Sequence, residues 1–191
     1  MRQDFSKVTA ARLSELFPIL HEEHNPLWKT HYLEEKAFLK SVFGGNLVRI
    51  SHIGSSSVPG LLAKPTVDIL LEIRRDTDLN AVTERMKDEG YVVNTPAADL
   101  IMYLKGYTPE GFRGQAFHIH VRHSGDWGEL YFRDYLMAHP EKAVEYAALK
   151  ITLKEQFPHD RDGYTEAKGQ FVLACTEQAR MEFPGRYTPG E

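Results

Sequence analysis

Three residues of this sequence have the types and spacing of a metal-binding or acid–base site: Asp68, His118 and His120. Asp68 lies inside an apolar run over residues 66–71, where a carboxylate costs several kcal/mol unless it is paired, binds a metal ion or lies at an exposed strand position. His118 and His120 are two residues apart, so on a strand they face the same side, about 6.6 Å apart along the chain. Two imidazoles on one face can bind one metal ion, or one can bind it while the other transfers a proton.

A second group of residues has the chemistry of a phosphate site. Gly54, Ser55 and Ser56 begin a loop directly after a predicted strand, where a glycine lets a phosphate approach the backbone and serine hydroxyls and loop N–H groups can bind its oxygens. The loop matches neither a Walker A loop nor a Rossmann fingerprint, because G-K-[ST] and G-x-G-x-x-G are absent. Three cations lie at a strand start or among apolar and aromatic residues, where they must reach solvent or meet an anion. They are Lys64, Arg133 and Lys168.

Each of these residues also has a purely structural interpretation. Asp68 could form a buried hydrogen bond or salt bridge, and the two histidines could be hydrogen-bonded residues of a sheet. Lys168 and Arg133 could belong to internal salt bridges. The single cysteine, Cys175, is predicted to be a buried structural thiol because its neighbours are apolar. For Asp68 we favour the site interpretation because a glycine–serine loop precedes the strand that carries it, whereas an isolated His-x-His pair is more commonly a pair of hydrogen-bonded sheet residues.

The hydrophobic pattern predicts the elements that must hold these residues in place. Near-continuous apolar character over residues 65–73 predicts a strand buried on both faces. The other predicted strands cover residues 47–53, 91–93, 100–104 and 116–121, with a loop at 106–114. Helices are predicted within residues 8–43, over 77–89 and 131–138, after Pro140, and over 164–182. This order predicts an α+β fold class, with residues 1–191 in one domain, 1–45 as its helical N-terminal segment and 185–191 as a frayed tail.

Length and composition exclude several classes of protein. The chain has 191 residues, of which 42% are hydrophobic and 26% are charged, so it is not a disordered chain, a collagen or a small disulfide scaffold. The net charge of −4 does not indicate nucleic-acid or membrane binding. One cysteine, no visible signal peptide and no run of about 20 apolar residues predict a cytoplasmic protein without a membrane span. The sequence does not indicate an oligomeric state.

Seven segments of the sequence together resemble the GrpB-like family. They are residues 52–61, 63–69, 117–121, 132–136, 139–140, 146–150 and 164–168. The resemblance covers residues 47–175. It implies a nucleotidyltransferase-like fold, with a mixed β-sheet flanked by N- and C-terminal helices, and some members of this family are fused to dephospho-CoA kinase. The resemblance does not imply a particular reaction.

The carboxylates of the nucleotidyltransferase superfamily are only partly matched here. In that superfamily a Gly-Ser loop precedes a strand with Asp-x-Asp or Asp-x-Glu, a neighbouring strand adds a third carboxylate, and together they hold two Mg²⁺ ions for attack on a nucleotide α-phosphate. Asp68 matches the first carboxylate, but Leu70 occupies the position of the second. Glu72 lies about 13 Å further along the strand and cannot share an ion with Asp68. His118 and His120 occupy the third-carboxylate strand, and imidazoles suit Zn²⁺, Mn²⁺, Fe²⁺ or Ni²⁺ better than Mg²⁺.

Three functions remain open at this point. In the first, Asp68, His118 and His120 hold one divalent ion (Mg²⁺, Mn²⁺ or Zn²⁺) or act as acid–base groups in a transferase or phosphoesterase with a nucleotide-like substrate. Its phosphate-binding residues would be Gly54, Ser55, Ser56, Lys64, Arg133 and Lys168. In the second, the protein is a catalytically inactive module that binds a nucleotide or a CoA precursor. In the third, it is a histidine-triad-like hydrolase, although that motif needs a third histidine where the sequence has Arg122. We predict the first function, with a small-molecule ligand and no nucleic-acid partner.

Overall fold

A five-stranded mixed β-sheet forms the centre of this protein. The structure is a computed structural model that describes residues 2, 4–5, 8–97 and 100–189. The strands are β1 (Leu47–Ile53), β2 (Thr66–Ile73), β3 (Val92–Ala97), β4 (Leu100–Thr108) and β5 (Gly111–His123). They lie side by side in the order β1-β2-β5-β4-β3. β2 and β5 pair in parallel, and the other three pairs are antiparallel.

Helices precede, interrupt and follow the strands along the chain. Two come before the sheet, α1 (Ala10–Leu16) and α2 (Leu27–Phe43), and α3 (Leu79–Asp88) connects β2 to β3. Those that follow it are α4 (Gly128–Ala138), α5 (Pro140–Gln156), α6 (Arg161–Ala167) and α7 (Gly169–Glu182). Short 3₁₀ helices occupy Gly44–Asn46 and Ser55–Ser57. This arrangement confirms the predicted α+β class. Within the described ranges, no helix is long and apolar enough to cross a membrane.

The two faces of the sheet are covered differently, because alternate residues of a strand point to opposite sides. Val67 and Ile69 of β2 are fully buried on one face, where they pack in an apolar cluster with α2 and α3. On the opposite face, Leu70 packs against Leu130 of α4. Asp68, two residues before Leu70 on this second face, keeps 26% of its side chain exposed. A cleft therefore opens over this part of the second face.

The helical prediction over residues 8–43 is only partly correct. α1 ends at Leu16, and Phe17 has φ and ψ of −125° and 64°. Pro18 explains this break, because a proline disfavours helical backbone at the residue before it. Between α1 and α2 the chain forms no regular element except a bridge in which Glu22 pairs with Ala63. This bridge holds the segment against the chain just before β2.

The loop predicted at residues 106–114 is instead part of a long hairpin into which both β4 and β5 extend. Gly106 has a φ of 84° and lies at an irregularity of the register between Lys105 and Tyr107. A Cβ atom on Gly106 would lie 2.6 Å from the carbonyl oxygen of Gln115. Only glycine fits this close approach of the two strands, which is typical of a β-bulge.

The helix predicted over residues 164–182 is divided into two. α6 ends and α7 begins at Lys168, which belongs to neither helix. α6 also begins earlier than predicted, because the Asp160 side chain accepts a hydrogen bond from the Gly163 N–H and caps its first turn. The division places Lys168 at a junction of two helices rather than inside one.

The predicted frayed tail is packed against α4 as far as Tyr187. The Tyr187 ring lies edge-on to Tyr131, with 5.2 Å between the ring centroids. Its hydroxyl donates to Asp134 and accepts a hydrogen bond from Arg133 at 2.8 Å. Residues 190–191 of the predicted tail lie outside the described ranges.

Candidate functional site

Asp68, His118 and His120 lie together on one face of the two central parallel strands. Asp68 of β2 is in register with His118 of β5, and Leu70 is in register with His120. One ligand atom from each of the three side chains therefore lies within 4.8 Å of the others. The Nδ1 atom of His118 is 3.2 Å from Asp68 Oδ1, and the Nε2 atom of His120 is 3.6 Å from the same oxygen. The structure brings together all three residues that the sequence singled out.

The surroundings of this cluster favour the protonation states that bind a metal ion. Burial lowers the pKa of His118, so its imidazole is neutral near pH 7. Burial by itself would raise the pKa of Asp68, but the imidazoles of His118 and His120 beside the carboxylate lower it well below its usual value. The Nε2 atom of His120 is buried and, within the described ranges, has no hydrogen-bond partner. A divalent ion would satisfy both the carboxylate and this orphaned nitrogen.

Tyr107 orients His118 from the far side of the ring. Its hydroxyl lies 2.7 Å from the Nε2 atom of His118, and the two rings stack with 5.7 Å between centroids. Burial raises the pKa of Tyr107, so the phenol stays protonated and available for this hydrogen bond. Outer partners of this kind fix the ring orientation of a ligating histidine. The sequence analysis did not find Tyr107, because the glycines around it predict a loop rather than a hairpin.

The loop after β1 approaches the Asp68 carboxylate closely. Ile53 pairs with Asp68, so Gly54 follows at the level of that carboxylate. Gly54 has a φ of 68°, and a Cβ atom on it would lie 2.5 Å from Asp68 Oδ2. Both the positive φ and the lack of space require glycine here. Gly54 and Ser55 line the cleft, at the position where the sequence analysis expected them.

The three serines of this loop have three different partners. Ser55 Oγ accepts a hydrogen bond from the Lys150 ammonium at 3.1 Å. Ser56 is only 2% exposed, and its Oγ lies 3.2 Å from Nε2 of His52. Ser57 donates to a backbone carbonyl of its own loop at 2.6 Å. Of the three hydroxyls, that of Ser55 is therefore the one that contacts a cation.

Three lysines line the cleft beside the carboxylate and the histidines: Lys64, Lys150 and Lys168. Among the residues that the structure describes, no carboxylate forms a salt bridge with any of the three. The Nζ atoms of Lys168 and Lys64 lie 4.3 Å and 5.9 Å from the Tyr164 ring centroid, and that of Lys150 lies 4.8 Å from the Tyr146 ring centroid. Aromatic faces attract cations but carry no net charge. The three ammonium groups therefore lie in the cleft without a salt bridge, although the Asp68 carboxylate attracts Lys64 and Lys168 from a distance and further carboxylates line the cleft.

Burial and mutual repulsion lower the pKa values of these lysines. Burial, then the charges of Lys168 and Lys64, lowers the pKa of Lys150 to about 7. Burial, then the charge of Lys64, lowers the pKa of Lys168 to about 8. The pKa of Lys64 is lowered by burial and by Arg161. An anion in the cleft would relieve this repulsion and favour the ammonium forms.

Lys150 is the lysine that the sequence analysis missed. It is only 3% exposed, and its ammonium donates to the carbonyl of Leu62 as well as to Ser55. The signal was present, because Lys150 lies four residues after Tyr146 and three before Leu153 on the buried face of α5. A lysine in an apolar stripe is the pattern that identified Lys168, and it applies equally here.

The structure does not place Arg133 in the cleft. Its guanidinium donates to the Asp134 carboxylate, the His52 carbonyl and the Tyr187 hydroxyl over 2.8, 3.0 and 2.8 Å. These contacts join α4 to the end of β1 and to the C-terminal tail. Of the two interpretations given above, the internal salt bridge describes Arg133, and the phosphate-binding role does not.

Glu72 is occupied by partners of its own, away from Asp68. It is fully buried, and the Arg49 guanidinium binds both of its carboxylate oxygens. The Gly125 N–H donates to the same carboxylate at 3.1 Å. This pairing agrees with the expectation that Glu72 does not share an ion with Asp68, so the candidate metal site has one carboxylate.

The cleft around the site has a volume of about 1180 Å³, which is enough for a ligand of nucleotide size. Its polar lining includes Asp68, the two histidines and the lysines, and further charged residues that also line it are Glu129, Asp160, Arg161 and Asp162. The rest of the wall includes apolar side chains from several elements: Phe17, Val93, Met102, Leu104, Val172 and Leu173. A ligand with a charged end and a flat, less polar end would match both parts.

Comparison with known proteins gives a consistent family match. The family model described as "GrpB protein" matches residues 18–178. The chain is 36% identical over 166 residues to the UPF0157 protein YqkA of Bacillus subtilis, a match that covers 85% of this chain and 48% of that protein. It is 32% identical over 163 residues to the glutamate-rich protein GrpB of Alkalihalophilus pseudofirmus, covering 83% of this chain and 92% of that one. The chain thus spans about half the length of the first relative and nearly all of the second.

A solved structure shares the fold. The crystal structure of the conserved protein GrpB from Enterococcus faecalis superimposes with a TM-score of 0.76 at 26% sequence identity. The superposition covers 86% of this chain and 99% of that chain. This likeness confirms the predicted fold, an α+β nucleotidyltransferase-like mixed sheet flanked by helices.

Proposed function

This chain belongs to the GrpB family, and on that premise we propose that its cleft binds a nucleotide or a related phosphate ligand together with one divalent metal ion. The observation that carries the proposal is the meeting of two groups in one cleft. One is the carboxylate–imidazole cluster of Asp68, His118 and His120, and the other is a set of three lysines, none of which forms a salt bridge with a carboxylate of the described residues.

The ligand set fits a single ion with open coordination positions. Asp68, His118 and His120 would supply one oxygen and two nitrogens, and three protein ligands leave room for a water molecule or a ligand oxygen. Two imidazoles favour Zn²⁺ or Mn²⁺ over Mg²⁺, since Mg²⁺ prefers oxygen ligands. When bound, such an ion would polarise a phosphoryl oxygen. Tyr107 would hold His118 in the orientation required for binding.

The lysines supply the charge that a phosphate ligand needs. Lys64, Lys150 and Lys168 are buried or half-buried, so solvent screens their charges less than it would on the surface. Positioned cations of this kind bind phosphate oxygens and stabilise the charge of a transferring phosphoryl group. The site would therefore serve a transferase or a phosphoesterase. If no turnover occurs, it would serve the alternative function of a module that binds a nucleotide or a CoA precursor.

The residue at position 122 argues against a hydrolase of the histidine-triad type, because it is Arg122 rather than a histidine. It occupies the position of the third histidine, and its guanidinium lies 4.4 Å from the Trp127 ring centroid. A stacked arginine cannot take the place of an imidazole in that motif.

Thermal unfolding of metal-stripped protein tests the proposal. ATP, GTP, CTP, UTP, CoA and dephospho-CoA would each be added with and without Mg²⁺, Mn²⁺ or Zn²⁺. A ligand at 100 times its Kd adds about 2.7 kcal/mol, which raises the melting temperature by several degrees. We expect a nucleotide-dependent rise that requires Mn²⁺ or Zn²⁺ and that Asp68→Asn abolishes. Lys168→Met should weaken it, whereas Lys40→Met, at an exposed position of α2, should not.

Two outcomes would contradict parts of this proposal. A response to Zn²⁺ or Mn²⁺ alone, with none to any nucleotide, would leave a metal site and remove the nucleotide. A nucleotide response that Asp68→Asn leaves unchanged would remove the metal. Analysis of the same mixtures for released phosphate, pyrophosphate or nucleoside monophosphate separates an enzyme from a binding module.

A further inference from the structure

Ser55 and Lys150 form a pair whose arrangement differs from that of the other serines in the loop. Both residues line the cleft, but Ser55 is half-buried whereas Lys150 is only 3% exposed. The Lys150 Nζ atom is 3.1 Å from Ser55 Oγ and also contacts the Leu62 carbonyl. A ligand in the cleft would therefore meet the more exposed serine hydroxyl with the amine directly beside it. From this geometry we infer that Ser55 is a nucleophile that attacks the phosphorus of the bound ligand and that Lys150 is its base.

The charges around Lys150 favour the neutral amine that a base requires. Lys64 and Lys168 repel its ammonium form, and His21 lies near enough to be influenced by its charge. The Tyr146 ring lies against the Lys150 amine, and the Tyr146 hydroxyl interacts with the Ser55 side chain. The Asp68 carboxylate attracts Lys64 and Lys168, but no described carboxylate forms a salt bridge with Lys150. Burial is the largest cause of the lowered pKa of Lys150, about 7 in the free protein, and it persists when the ligand binds. A fraction of Lys150 therefore stays unprotonated at neutral pH and can accept the proton of Ser55.

Phosphorus, rather than an acyl carbon, is the electrophile that this cleft favours. The inference rests on the proposed function, because the positive charge of Lys64 and Lys168 and the carboxylate–imidazole cluster suit a phosphate ester or anhydride. In the step, the Ser55 Oγ–P bond forms, the P–O bond to the leaving group breaks, and the Ser55 proton passes to Lys150. Attack by water or by an acceptor hydroxyl on the phosphoserine would then return Ser55 to its free form.

Ser57 serves as the matched control. Its hydroxyl donates to the Gly54 carbonyl, and Ser57 does not line the cleft, so it should remain unmodified. Ser56 also lines the cleft, and its Oγ contacts the imidazole of His52, but Ser56 is only 2% exposed.

The experiment follows the reaction of the full chain with p-nitrophenyl phosphate in the presence of Mn²⁺. The p-nitrophenyl phosphate concentration is one that raises the melting temperature of the protein. We expect a burst of p-nitrophenolate, and after acid quench a gain in mass of one phosphoryl group that peptide mapping places on Ser55. Ser55→Ala should abolish both signals, whereas Ser57→Ala should retain them. Lys150→Met and Lys150→Arg should slow the burst on the order of 100-fold or more, since arginine keeps the charge but is not a base at neutral pH.

The pH dependence of the native chain provides a measurement that does not depend on any variant folding. The bound anion raises the pKa of Lys150 above its value of about 7 in the free protein, so the burst rate should rise as pH increases above 7. A protein that binds p-nitrophenyl phosphate but leaves Ser55 unmodified would overturn the inference and leave the proposed function intact. A burst unchanged in Lys150→Arg would overturn the role of Lys150. Failure of p-nitrophenyl phosphate and of every nucleotide to raise the melting temperature would instead reject the proposed function, and the inference with it.

Discussion

At the scale of single residues, Gly54 sets the distance between the serine loop and the Asp68 carboxylate. A side chain there would meet Asp68 Oδ2 at 2.5 Å, and the φ of 68° is unfavourable for any other residue. We predict that Gly54→Ala lowers the free energy of unfolding by roughly 1–3 kcal/mol. It should also weaken Mn²⁺ and Zn²⁺ binding, because the carboxylate must move. Chemical denaturation and calorimetric titration with each ion measure the two effects.

Gly45→Ala is the matched control for this prediction. Gly45 has no positive φ, and a Cβ atom on it would meet nothing within 4 Å. The change should alter stability by no more than about 0.5 kcal/mol. Equal losses of ion binding in the two variants would show that the approach of Gly54 to Asp68 has no part in the site.

Several site residues are predictable from the sequence because each violates a local pattern. Asp68 interrupts an apolar strand, His118 and His120 repeat at the period of a strand, and Lys168 interrupts a helical stripe. Tyr107 interrupts nothing and reaches His118 only through a tertiary contact. Partners that depend on tertiary contacts of this kind leave no periodic signal in the sequence.

At the scale of elements, the C-terminal tail is part of the packed structure. The Tyr187 hydroxyl bonds with both Asp134 and Arg133 of α4, and its ring packs against Tyr131. We predict that Tyr187→Phe lowers the free energy of unfolding by about 1–2 kcal/mol, since it removes a partner from each of two charged groups. The midpoint of urea unfolding should fall at an unchanged m-value.

Thr188→Ala, at an exposed neighbour in the same tail, should leave the urea midpoint nearly unchanged. Metal and nucleotide binding should be unaffected in both variants, because neither residue lines the cleft. A Tyr187→Phe protein as stable as the native chain would mean that the tail is frayed after all, as the sequence pattern predicted.

The elements that the sequence mispredicts share a physical cause. The stripe formed by Tyr164, Lys168, Phe171 and Cys175 keeps its helical spacing across the break between α6 and α7, so periodicity cannot reveal the break. In the β4–β5 hairpin, glycines that favour a loop locally are used for positive φ and for close contact between strands. In both places tertiary packing decides between local conformations that the sequence leaves nearly equal.

At the scale of the whole molecule, two layers of the structure meet at the site. The sheet supplies the carboxylate and the imidazoles, while α5 and the α6–α7 junction supply Lys150 and Lys168. Bringing buried lysines together without a salt bridge opposes folding when no anion is bound. The protein without ligand should therefore be less stable than its apolar packing alone would make it, and the deficit should depend on pH.

The sign of this dependence follows from proton binding by Lys150. Its pKa is about 7 in the folded protein and 10.5 without the fold, so between these values the unfolded chain holds a proton that the folded chain has released. The free energy of unfolding therefore rises with pH through this window, by up to about 1.4 kcal/mol per unit, whereas below pH 7 the destabilisation by this group is complete and no longer changes with pH. The clearest interval is pH 7 to 9, because burial also raises the pKa of Cys175, which opposes the trend at higher pH.

We predict that the free energy of unfolding of the ligand-free protein, measured with urea, shows this rise and that Lys150→Met reduces it. Saturating nucleotide with metal ion should reduce the rise as well, since a bound anion raises the pKa of Lys150 and favours its ammonium form. A flat profile in the native chain would mean that Lys150 stays protonated in the folded state and that its charge is compensated without a ligand.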